Sequence, residues 1–381
     1  MAERPSSTDL LARVRRDVDR SLLRSRNGLR MLSGVGRPDL AQTPKDVVWS
    51  SGKVELWRYR SDRRTIRPPL FFVHSLVSRS YVFDLGPGNS FVEHMLGRGF
   101  DVFLADWGEP DELEAGNTLE TYCDDLLPQL VEVVADVAGS EDVNLFGYCF
   151  GGLLSLLYLA GHPDAPVRSL AVMATPVDFD HMGPFTALTQ AGRVNPEDLI
   201  DHTGNVPPDA IKNSFRMLQP TADLATYANL WQNLWNDEFV SAHQTMTQWS
   251  QDHIPFPGAC MLQVVRLFAR ENLLATGRVP LGDRTVDLAD ITVPFVNIVG
   301  EKDHIVPPAS NATLTSLVGS EEVDELRLAA GHVGLVVGRT AQKRNIPAMA
   351  DWLEAHSDVS HDVTGGGPTP RAGGPAEGGR T

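Results

Sequence analysis

The strongest constraint on the fold of this chain is a glycine-framed cysteine between a strand-like and a helix-like segment. The apolar run VNLFGY at 143–148 leads into the sequence GYCFG, in which Gly147 and Gly151 flank Cys149, and an apolar helical pattern follows. Such glycines are typical of a tight strand-to-helix turn around a nucleophile, because neighbouring side chains would clash there. The helix N-terminus would stabilise a thiolate. The pattern therefore predicts a nucleophilic Cys149; the alternative is a small buried cysteine at a turn.

The other apolar runs of the chain predict the sheet that contains this turn. Short runs with strand character alternate with longer helical patterns, such as 122–137 and a closing helix near 340–355. The strand-like runs lie at 54–59, 70–75, 101–107, 143–148, 169–175, 294–300 and 325–329. Strands that alternate with helices at this spacing form right-handed crossovers and a mostly parallel sheet.

A candidate acid and a candidate base follow the cysteine along the chain. Asp303 lies in GEKDHIVPP directly after the run at 294–300, and His332 lies in AAGHVG directly after the run at 325–329. Open α/β sheets place their sites in loops at the carboxyl ends of strands. The order nucleophile, acid, histidine is that of the α/β-hydrolase fold, which is the predicted fold class. His332 would take the thiol proton, and Asp303 would orient and stabilise the imidazole.

The same fold predicts which residues complete the site. The oxyanion hole should combine the backbone N–H of Phe150 with one from the loop after the run at 70–75, for which we choose Leu76. His74 stands where many hydrolases carry the first residue of a His-Gly pair, and we interpret it as a histidine packed under the loop. His304, beside Asp303, is interpreted as a loop residue that points away from the site.

The remaining segments predict the domain organisation. Between 177 and 290 the rhythm breaks into Pro-rich turns and helical patches without a clean alternating strand, which indicates a mainly helical cap inserted between two strands. The hydrolase core would then comprise 43–176 and 291–356. The tail at 357–381, rich in Gly, Pro and Thr, is predicted to be disordered because it has too few apolar residues to offset the entropy of ordering.

Residues 1–42 form the fourth predicted unit, a basic helix and a linker. The first thirty residues carry eight arginines against four acidic residues, a net charge of +4 in a chain whose total is −16. Four apolar residues recur there at helical spacing: Leu11, Val14, Val18 and Leu22. Two interpretations stay open. The helix packs on its own domain, or it docks on a partner or an anionic surface.

Composition excludes several classes of function. The acidic net charge opposes contact with phosphate backbones, so nucleic acid is not expected as a partner. The three cysteines, Cys123, Cys149 and Cys260, are odd in number and lack metal-type spacing, so we expect no disulfide framework and no metal site. Cys123 and Cys260 are interpreted as inert. Without an apolar signal-peptide core or a membrane span, a soluble, cytoplasmic protein is expected.

The residues between Thr43 and His356 resemble the catalytic subunits of polyhydroxyalkanoate (PHA) synthases, most closely the short two-component class III type. The resemblance rests on TPKDVVWSSGKVELWRYR at 43–60, HSLVSRSYVFDL at 74–85, DVFLADWGEPD at 101–111, VNLFGYCFGG at 143–152, MATPVDF at 173–179, GEKDHIVPP at 300–308 and GHVGLVVGRTAQ at 331–342. The cap matches only in patches, and the basic helix at 10–32 and the tail lie outside the pattern. The large N-terminal domain of longer synthases is expected to be absent.

The resemblance implies an acyltransferase that polymerises (R)-3-hydroxyacyl-CoA and releases CoA. It makes Cys149 the nucleophile and His332 its base, and it places Asp303 to activate the hydroxyl of the incoming hydroxyacyl unit. No cofactor is implied, since CoA is the leaving group. A second synthase subunit, a homodimer or hetero-oligomer, and a cytoplasmic location at polymer granules are further expectations.

Two other functions remain open at this point. An α/β-hydrolase, such as a polyester depolymerase or a thioesterase, would use the same three residues. A non-catalytic granule-associated or scaffold protein could keep the fold, although the complete set of Cys149, Asp303 and His332 speaks against it.

Overall fold

The computed structural model describes residues 7–33, 40–218 and 229–359, and the side chains of residues 7–14, 16, 32 and 185 are outside the description. The strands are β1 (Lys45–Ser51), β2 (Val54–Tyr59), β3 (Ile66–Arg67), β4 (Leu70–Val73), β5 (Val102–Asp106), β6 (Val143–Tyr148), β7 (Val167–Met173), β8 (Asn205–Val206), β9 (Phe256–Pro257), β10 (Arg278–Leu281), β11 (Arg284–Asp287), β12 (Phe295–Gly300), β13 (Val323–Leu328) and β14 (Asp358–Val359).

The helices surround and extend this set of strands. They are α1 (Ser7–Ser33), α2 (Phe91–Arg98), α3 (Leu127–Ala138), α4 (Phe150–Gly161), α5 (Pro184–Gln190), α6 (Pro208–Leu218), α7 (Asp237–Gln251), α8 (Gly258–Val264), α9 (Leu314–Leu317) and α10 (Ile346–Ala355). Residues 229–233 are also helical. Two π-helical turns, Thr121–Leu126 and Ala341–Asn345, lead into α3 and α10.

Eight strands form one sheet in the order β1-β2-β5-β4-β6-β7-β12-β13. The pairs β1–β2 and β2–β5 are antiparallel, and the other five pairs are parallel. The central strands β4, β6 and β12 are buried along their whole length, as expected for a parallel sheet with both faces covered. Two hydrophobic clusters lie on the faces of this sheet, one with α3 and α4 and the other with α2 and α10.

The sequence-based expectations for the sheet are confirmed. Each of the seven strand-like runs overlaps an observed strand, and the helical patterns at 122–137 and 340–355 coincide with α3 and α10 together with their π-helical turns. The predicted fold class, a mostly parallel sheet flanked by helices, is therefore correct. The strand β1 was not singled out from the sequence; its seven residues are all half-buried or exposed, so it lacks the long apolar run of the central strands.

The chain between β7 and β12 is mainly helical but also contains strands. The hairpin of β10 and β11 contradicts the expectation of no clean alternating strand in this segment. Its strands have four residues each, too few for alternation to stand out in the sequence. Val279, Leu281 and Val286 of the hairpin belong to the same hydrophobic cluster as α4. Residues 219–228 of the predicted cap lie outside the described residues, and the four-domain division stays a prediction.

The basic helix α1 contacts the cap with the polar face of the helix. Arg26 Nη2 donates to both carboxylate oxygens of Asp237 at 2.5 Å, and the buried Asn27 donates to the backbone oxygen of Leu234 at 2.8 Å. Val18 and Leu22, which belong to the predicted apolar stripe, are 53% and 66% exposed. The helix thus contacts its own chain, but by the face opposite to the one that the apolar spacing indicates.

The structure corrects the predicted start of the disordered tail, because residues 357–359 make defined contacts. Ser357 accepts a hydrogen bond from Asn144 Nδ2 at 2.8 Å and donates one to Leu353 O at 2.6 Å, and β14 then pairs with β3. Local composition at 357–359 gives no indication of the contacts with Asn144 and β3, because they are made with distant parts of the chain. The rest of the tail, 360–381, lies outside the described residues. Across the described helices, none combines the length and apolar character needed to cross a bilayer.

Candidate active site

Cys149 lies at the sharp turn between β6 and α4. Its φ of 55° and ψ of −120° place a non-glycine residue in a strained backbone region, which is the conformation of a nucleophile held above a sheet. Its backbone N–H donates to Met173 O on the neighbouring strand β7 at 2.9 Å, and this hydrogen bond stabilises the strained conformation. The side chain is half-buried, and it therefore remains reachable from one side.

The glycines around Cys149 are required by close approach of other backbone and side-chain atoms. A Cβ atom on Gly147 would lie 2.5 Å from Gly152 Cα, and one on Gly151 would lie 2.1 Å from Val73 O. Gly152 was not singled out from the sequence, yet its Cβ would meet Thr175 Oγ1 at 1.9 Å. The repeated glycine in CFGG is the signal that could have identified it. Any side chain at these three positions would displace the turn.

The structure brings His332 and Asp303 together. Asp303 lies in the loop after β12, and His332 lies in the loop after β13, the next strand of the sheet. His332 Nδ1 lies 2.7 Å from Asp303 Oδ2, and both side chains are buried. The other carboxylate oxygen, Oδ1, accepts the backbone N–H groups of Ile305 and Val306, each at 2.8 Å. These contacts fix the carboxylate and leave Nε2 of the imidazole for the cysteine.

The titration of His332 reflects this arrangement. Burial acts to lower its pKa, but the charges of Asp303 and Cys149 and the side-chain hydrogen bonds to both residues raise it from 6.5 to about 10. Cys149 therefore lies close enough to affect the titration of the imidazole, which keeps its proton near neutral pH. The His332–Asp303 pair supplies the base and the orienting group that a cysteine nucleophile requires.

Tyr148 packs against His332 and supports it, and this role of Tyr148 was not predicted from the sequence. Its ring centroid lies 5.0 Å from that of His332, and its hydroxyl donates to His332 O at 3.3 Å. Burial, followed by the charges of Cys149 and Asp303, raises the pKa of Tyr148 well above its ordinary value, so the phenol stays neutral. The residue occupies the variable position between Gly147 and Cys149, where the motif alone carries no information.

The two candidate oxyanion donors lie at the expected ends of their elements. Phe150 begins α4, and Leu76 follows β4. In the described part of the chain, neither backbone N–H donates to a protein acceptor, as an oxyanion hole requires. The close approach of Val73 O to Gly151 places the start of the β4 loop against the turn. The assignment of Leu76 stays a prediction.

The surroundings of His74, His304, Cys123 and Cys260 agree with their interpretation from the sequence. His74 is buried, and burial lowers its pKa to about 3, so it is neutral; His304 is exposed. Cys123 and Cys260 are fully buried, and burial raises the pKa of both thiols above the ordinary value. Neither thiol can serve as a nucleophile near neutral pH.

The segment between β7 and β12 reaches the turn directly. Phe256 packs edge-on against Phe150, the residue after the nucleophile, with ring centroids 5.5 Å apart and an interplanar angle of 77°. Both rings belong to the apolar packing around α4. The nucleophile is therefore bordered by the cap as well as by the sheet.

Comparison with known proteins first defines the class. Residues 68–338 match the model of the alpha/beta hydrolase fold. A solved structure from Sulfolobus solfataricus, described as a candidate lipase, superimposes with a TM-score of 0.53 at 16% identity and covers 82% of this chain and 93% of its own. At that identity the likeness establishes the fold alone.

Two further comparisons define the family. Residues 11–95 match the model of the poly-beta-hydroxybutyrate polymerase (PhaC) N-terminus. Poly(3-hydroxyalkanoate) polymerase subunit PhaC of Allochromatium vinosum is 35% identical, covering 86% of this chain and 92% of its own; the Haloferax mediterranei protein of the same name is 34% identical, covering 87% and 68%. The chain belongs to the PhaC polymerase family.

The family match also corrects one expectation. The basic helix was placed outside the family pattern, but the match to the PhaC N-terminus begins at residue 11, inside α1. The short motifs used for the resemblance begin at Thr43, and a helix whose described side chains are mostly exposed offers no comparable motif. The N-terminal helix is part of the region that the family shares.

Proposed function

We propose that this protein polymerises (R)-3-hydroxyacyl-CoA into polyhydroxyalkanoate with release of CoA, through acyl groups bound to Cys149. The observation that carries the proposal is the hydrogen-bonded His332–Asp303 pair beside Cys149 in a chain of the PhaC family. The half-buried cysteine lies on the strained turn where this fold presents its nucleophile.

In the acylation step, the Cys149 sulfur attacks the carbonyl carbon of the substrate thioester. A new carbon–sulfur bond forms, and the negative charge moves to the carbonyl oxygen, where the N–H groups of Phe150 and Leu76 would stabilise it. The bond to the CoA sulfur then breaks, and CoA leaves as a thiol with the proton that His332 holds. Exchange of one thioester for another is nearly isoenergetic, which explains a cysteine in place of a serine.

In the elongation step, the hydroxyl oxygen of a hydroxyacyl unit attacks the carbonyl carbon of the Cys149 thioester and its proton passes to a base. An ester bond forms, the bond from that carbon to the Cys149 sulfur breaks, and the sulfur is regenerated for the next acylation. The family resemblance assigns that activation to Asp303. In this structure both carboxylate oxygens of Asp303 already accept hydrogen bonds, one of them from His332. This geometry supports an orienting role for Asp303, so the proposal includes a test that separates the two roles.

The proposed chemistry needs no cofactor, since CoA is both the carrier and the leaving group. Water must be kept from the acyl enzyme, because hydrolysis would end the chain. The packing of Phe256 on Phe150 supports a role of the cap in that exclusion.

We also propose a second synthase subunit as the partner, and a cytoplasmic location at the polymer granule. The relatives from Allochromatium vinosum and Haloferax mediterranei are described as polymerase subunits, which supports a partner chain. Val18 and Leu22 of α1 offer exposed apolar surface for such a contact. The homodimeric or hetero-oligomeric state belongs to the same proposal.

The test is to supply the purified protein with 3-hydroxybutyryl-CoA, to follow CoA release and to size the product. Polymer is the expected product. Free 3-hydroxybutyrate as the main product would instead indicate the hydrolase alternative with the same catalytic residues. Absence of CoA release, together with iodoacetamide labelling of Cys149 no faster than that of a free thiol, would indicate a non-catalytic protein. Repeating the assay with candidate second subunits tests the partner.

A further inference from the structure

The loop after β4 is held from the cap as well as from the sheet. This loop, residues 74–81, contains Leu76 and is called the oxyanion loop below. On the sheet side, Trp107 Nε1 donates to His74 O at 2.9 Å, and Ser80 Oγ donates to the Asp106 carboxylate. These contacts secure the two ends of the oxyanion loop to the strand end of β5.

The end of α7 secures the middle of the loop. Trp249, a buried residue, donates its indole N–H to Arg79 O at 2.9 Å. His253 Nδ1 lies 3.1 Å from Val77 O, and a backbone bridge joins His253 to Ser78. The cap therefore touches the residues on the carboxyl side of Leu76.

Asp252 is the charged element of this contact. Its Oδ2 accepts the hydroxyl hydrogen of Tyr81 at 2.7 Å, and its Oδ1 lies 3.4 Å from Arg79 Nε. One carboxylate thus holds two side chains of the oxyanion loop. Since Asp252 belongs to the cap, the docked end of α7 contributes to holding the loop, together with the sheet and with Glu109, which lies 2.8 Å from Arg79 Nη2.

A contact inside the oxyanion loop connects the part that touches the cap with the part that lies near the nucleophile. Ser78 Oγ lies 3.1 Å from His74 Nε2, and His74 stacks at 6.0 Å on Tyr148, the support of His332. Ser78 is bridged to the cap at one side and contacts His74 at the other. Leu76 lies between the two, so a shift of Ser78 would move its N–H.

We propose that Asp252 is a positioning residue for acyl transfer: by docking the end of α7 on the oxyanion loop, it aims the Leu76 N–H at the oxygen of the reacting carbonyl. The inference rests on the proposed acyl transfer at Cys149. It adds that the oxyanion hole is complete only while this part of the cap is docked.

The test compares two reactions of the same thiol in Asp252→Ala. Acylation by p-nitrophenyl acetate creates an oxyanion, whereas alkylation by iodoacetamide displaces iodide from a tetrahedral carbon and creates none. We expect the acylation rate of Cys149 to fall about tenfold, less than for outright loss of an oxyanion donor. The alkylation rate should stay that of the wild type. CoA release from 3-hydroxybutyryl-CoA should fall in parallel with acylation.

Three further variants define the source of the effect. Asp252→Asn keeps an acceptor for Tyr81 and should restore part of the acylation rate, while Tyr81→Phe removes that hydrogen bond alone and should give a smaller loss. Asp237→Ala is the matched control, because it removes an aspartate–arginine pair at the other end of α7. It should leave both reactions of Cys149 unchanged.

The outcomes separate the inference from the proposed function. Unchanged acylation in Asp252→Ala and Tyr81→Phe would overturn the inference. A parallel change in alkylation would also overturn it, because Asp252 would then control access to the thiol or its activation. If wild-type protein is acylated by p-nitrophenyl acetate but releases no CoA from 3-hydroxybutyryl-CoA, the proposed function fails while the inference is still tested. A thermal midpoint for each variant verifies folding, and Tyr81→Phe carries the test if Asp252→Ala does not fold.

Discussion

The loops at the strand ends and the cap border the same thiol, but they are held in place by different physical means. Asp303 and His332 are 3% and 8% exposed and follow adjacent parallel strands, so their separation is set by the sheet. The Asp252 side chain of the cap is 42% exposed, and its ion pair with Arg79 is partly screened by solvent. The strand-end loops with Asp303 and His332, called the rigid half below, are therefore held firmly by the sheet. The cap contact at Asp252 costs less free energy to break.

The first prediction addresses the rigid half and has the largest expected effect. Cys149→Ala should abolish CoA release, by about a thousandfold or more, because no other described thiol is accessible to replace it. The fold should persist, since the substitution removes only sulfur at a turn built for a small side chain. CoA release and the thermal midpoint are the measurements. Turnover above a few per cent of the wild type would contradict the assignment, and Cys149→Ser should also be severely impaired.

The second prediction tests whether the rigid half acts as one unit. His332→Gln should slow the labelling of Cys149 by a 3-hydroxyacyl-CoA, by roughly 10²- to 10⁴-fold, because it removes the base. Asp303→Asn should acylate once and then stall in elongation if the family role applies. Single-turnover labelling followed by product sizing separates the two steps. Equal loss of labelling in both variants would mean that Asp303 serves mainly to orient His332, as its hydrogen bonds favour.

The third prediction uses pH to sharpen the comparison. Because the pKa of His332 is raised from 6.5 to about 10, the stability that its protonated form contributes is fully present below 6.5 and is lost as the pH rises through about 10. The thermal midpoint of the wild type should therefore fall more steeply than that of His332→Gln between these pH values, by on the order of a few degrees. Asp252→Ala, a cap variant, should keep the wild-type slope. Parallel curves for wild type and His332→Gln would refute the raised pKa.

The fourth prediction concerns α1 and has the smallest effect on the isolated protein. Val18→Ser with Leu22→Ser alters exposed side chains and leaves the Arg26 and Asn27 contacts in place, so the thermal midpoint should not change. Activity with a second subunit should fall severalfold. Leu113→Ser, at an 85% exposed position after β5, is the matched control and should change neither quantity.

The deletion of residues 1–32 gives a stronger form of the same experiment. It should leave the midpoint nearly unchanged, because the described contacts of α1 with the cap are an exposed ion pair, a single buried amide and a cation–π contact of Arg20 with Trp235. A loss of many degrees, with partner-dependent activity falling only in proportion, would show that α1 belongs to the core of the domain. Loss of granule localisation with intact subunit binding would instead assign α1 to the granule surface.

The rigid half could be predicted because the sequence signals that define it are local. A strand of six residues, a glycine on each side of Cys149 and the order of the acid and the histidine are readable without knowledge of distant contacts. The parallel sheet then brings Asp303 and His332 together, since the strands that precede them are neighbours. Tyr148 and Gly152 were missed because their importance depends on what lies across the turn, His332 in one case and Thr175 in the other.

The cap and the chain ends could be predicted only in outline. The docking of α1 depends on Asp237 and Leu234, more than 200 residues away in sequence, and the order at Ser357 depends on Asn144. Neither contact leaves a periodic signal in the segment concerned. The Asp252 contact could not be predicted either, because a single acidic residue near a helix end has no distinguishing local pattern in the sequence.

The burial of Cys123 and Cys260 has a practical consequence for any preparation of this protein. With both thiols fully enclosed in the core, a thiol-specific chromophore added to the folded chain should count one equivalent, and a denatured sample should count three. The number of equivalents counted per folded chain then gives the fraction of molecules with an intact nucleophile, and the denatured count should exceed it by two. Rates can thereby be expressed per competent molecule, without a substrate or an inhibitor.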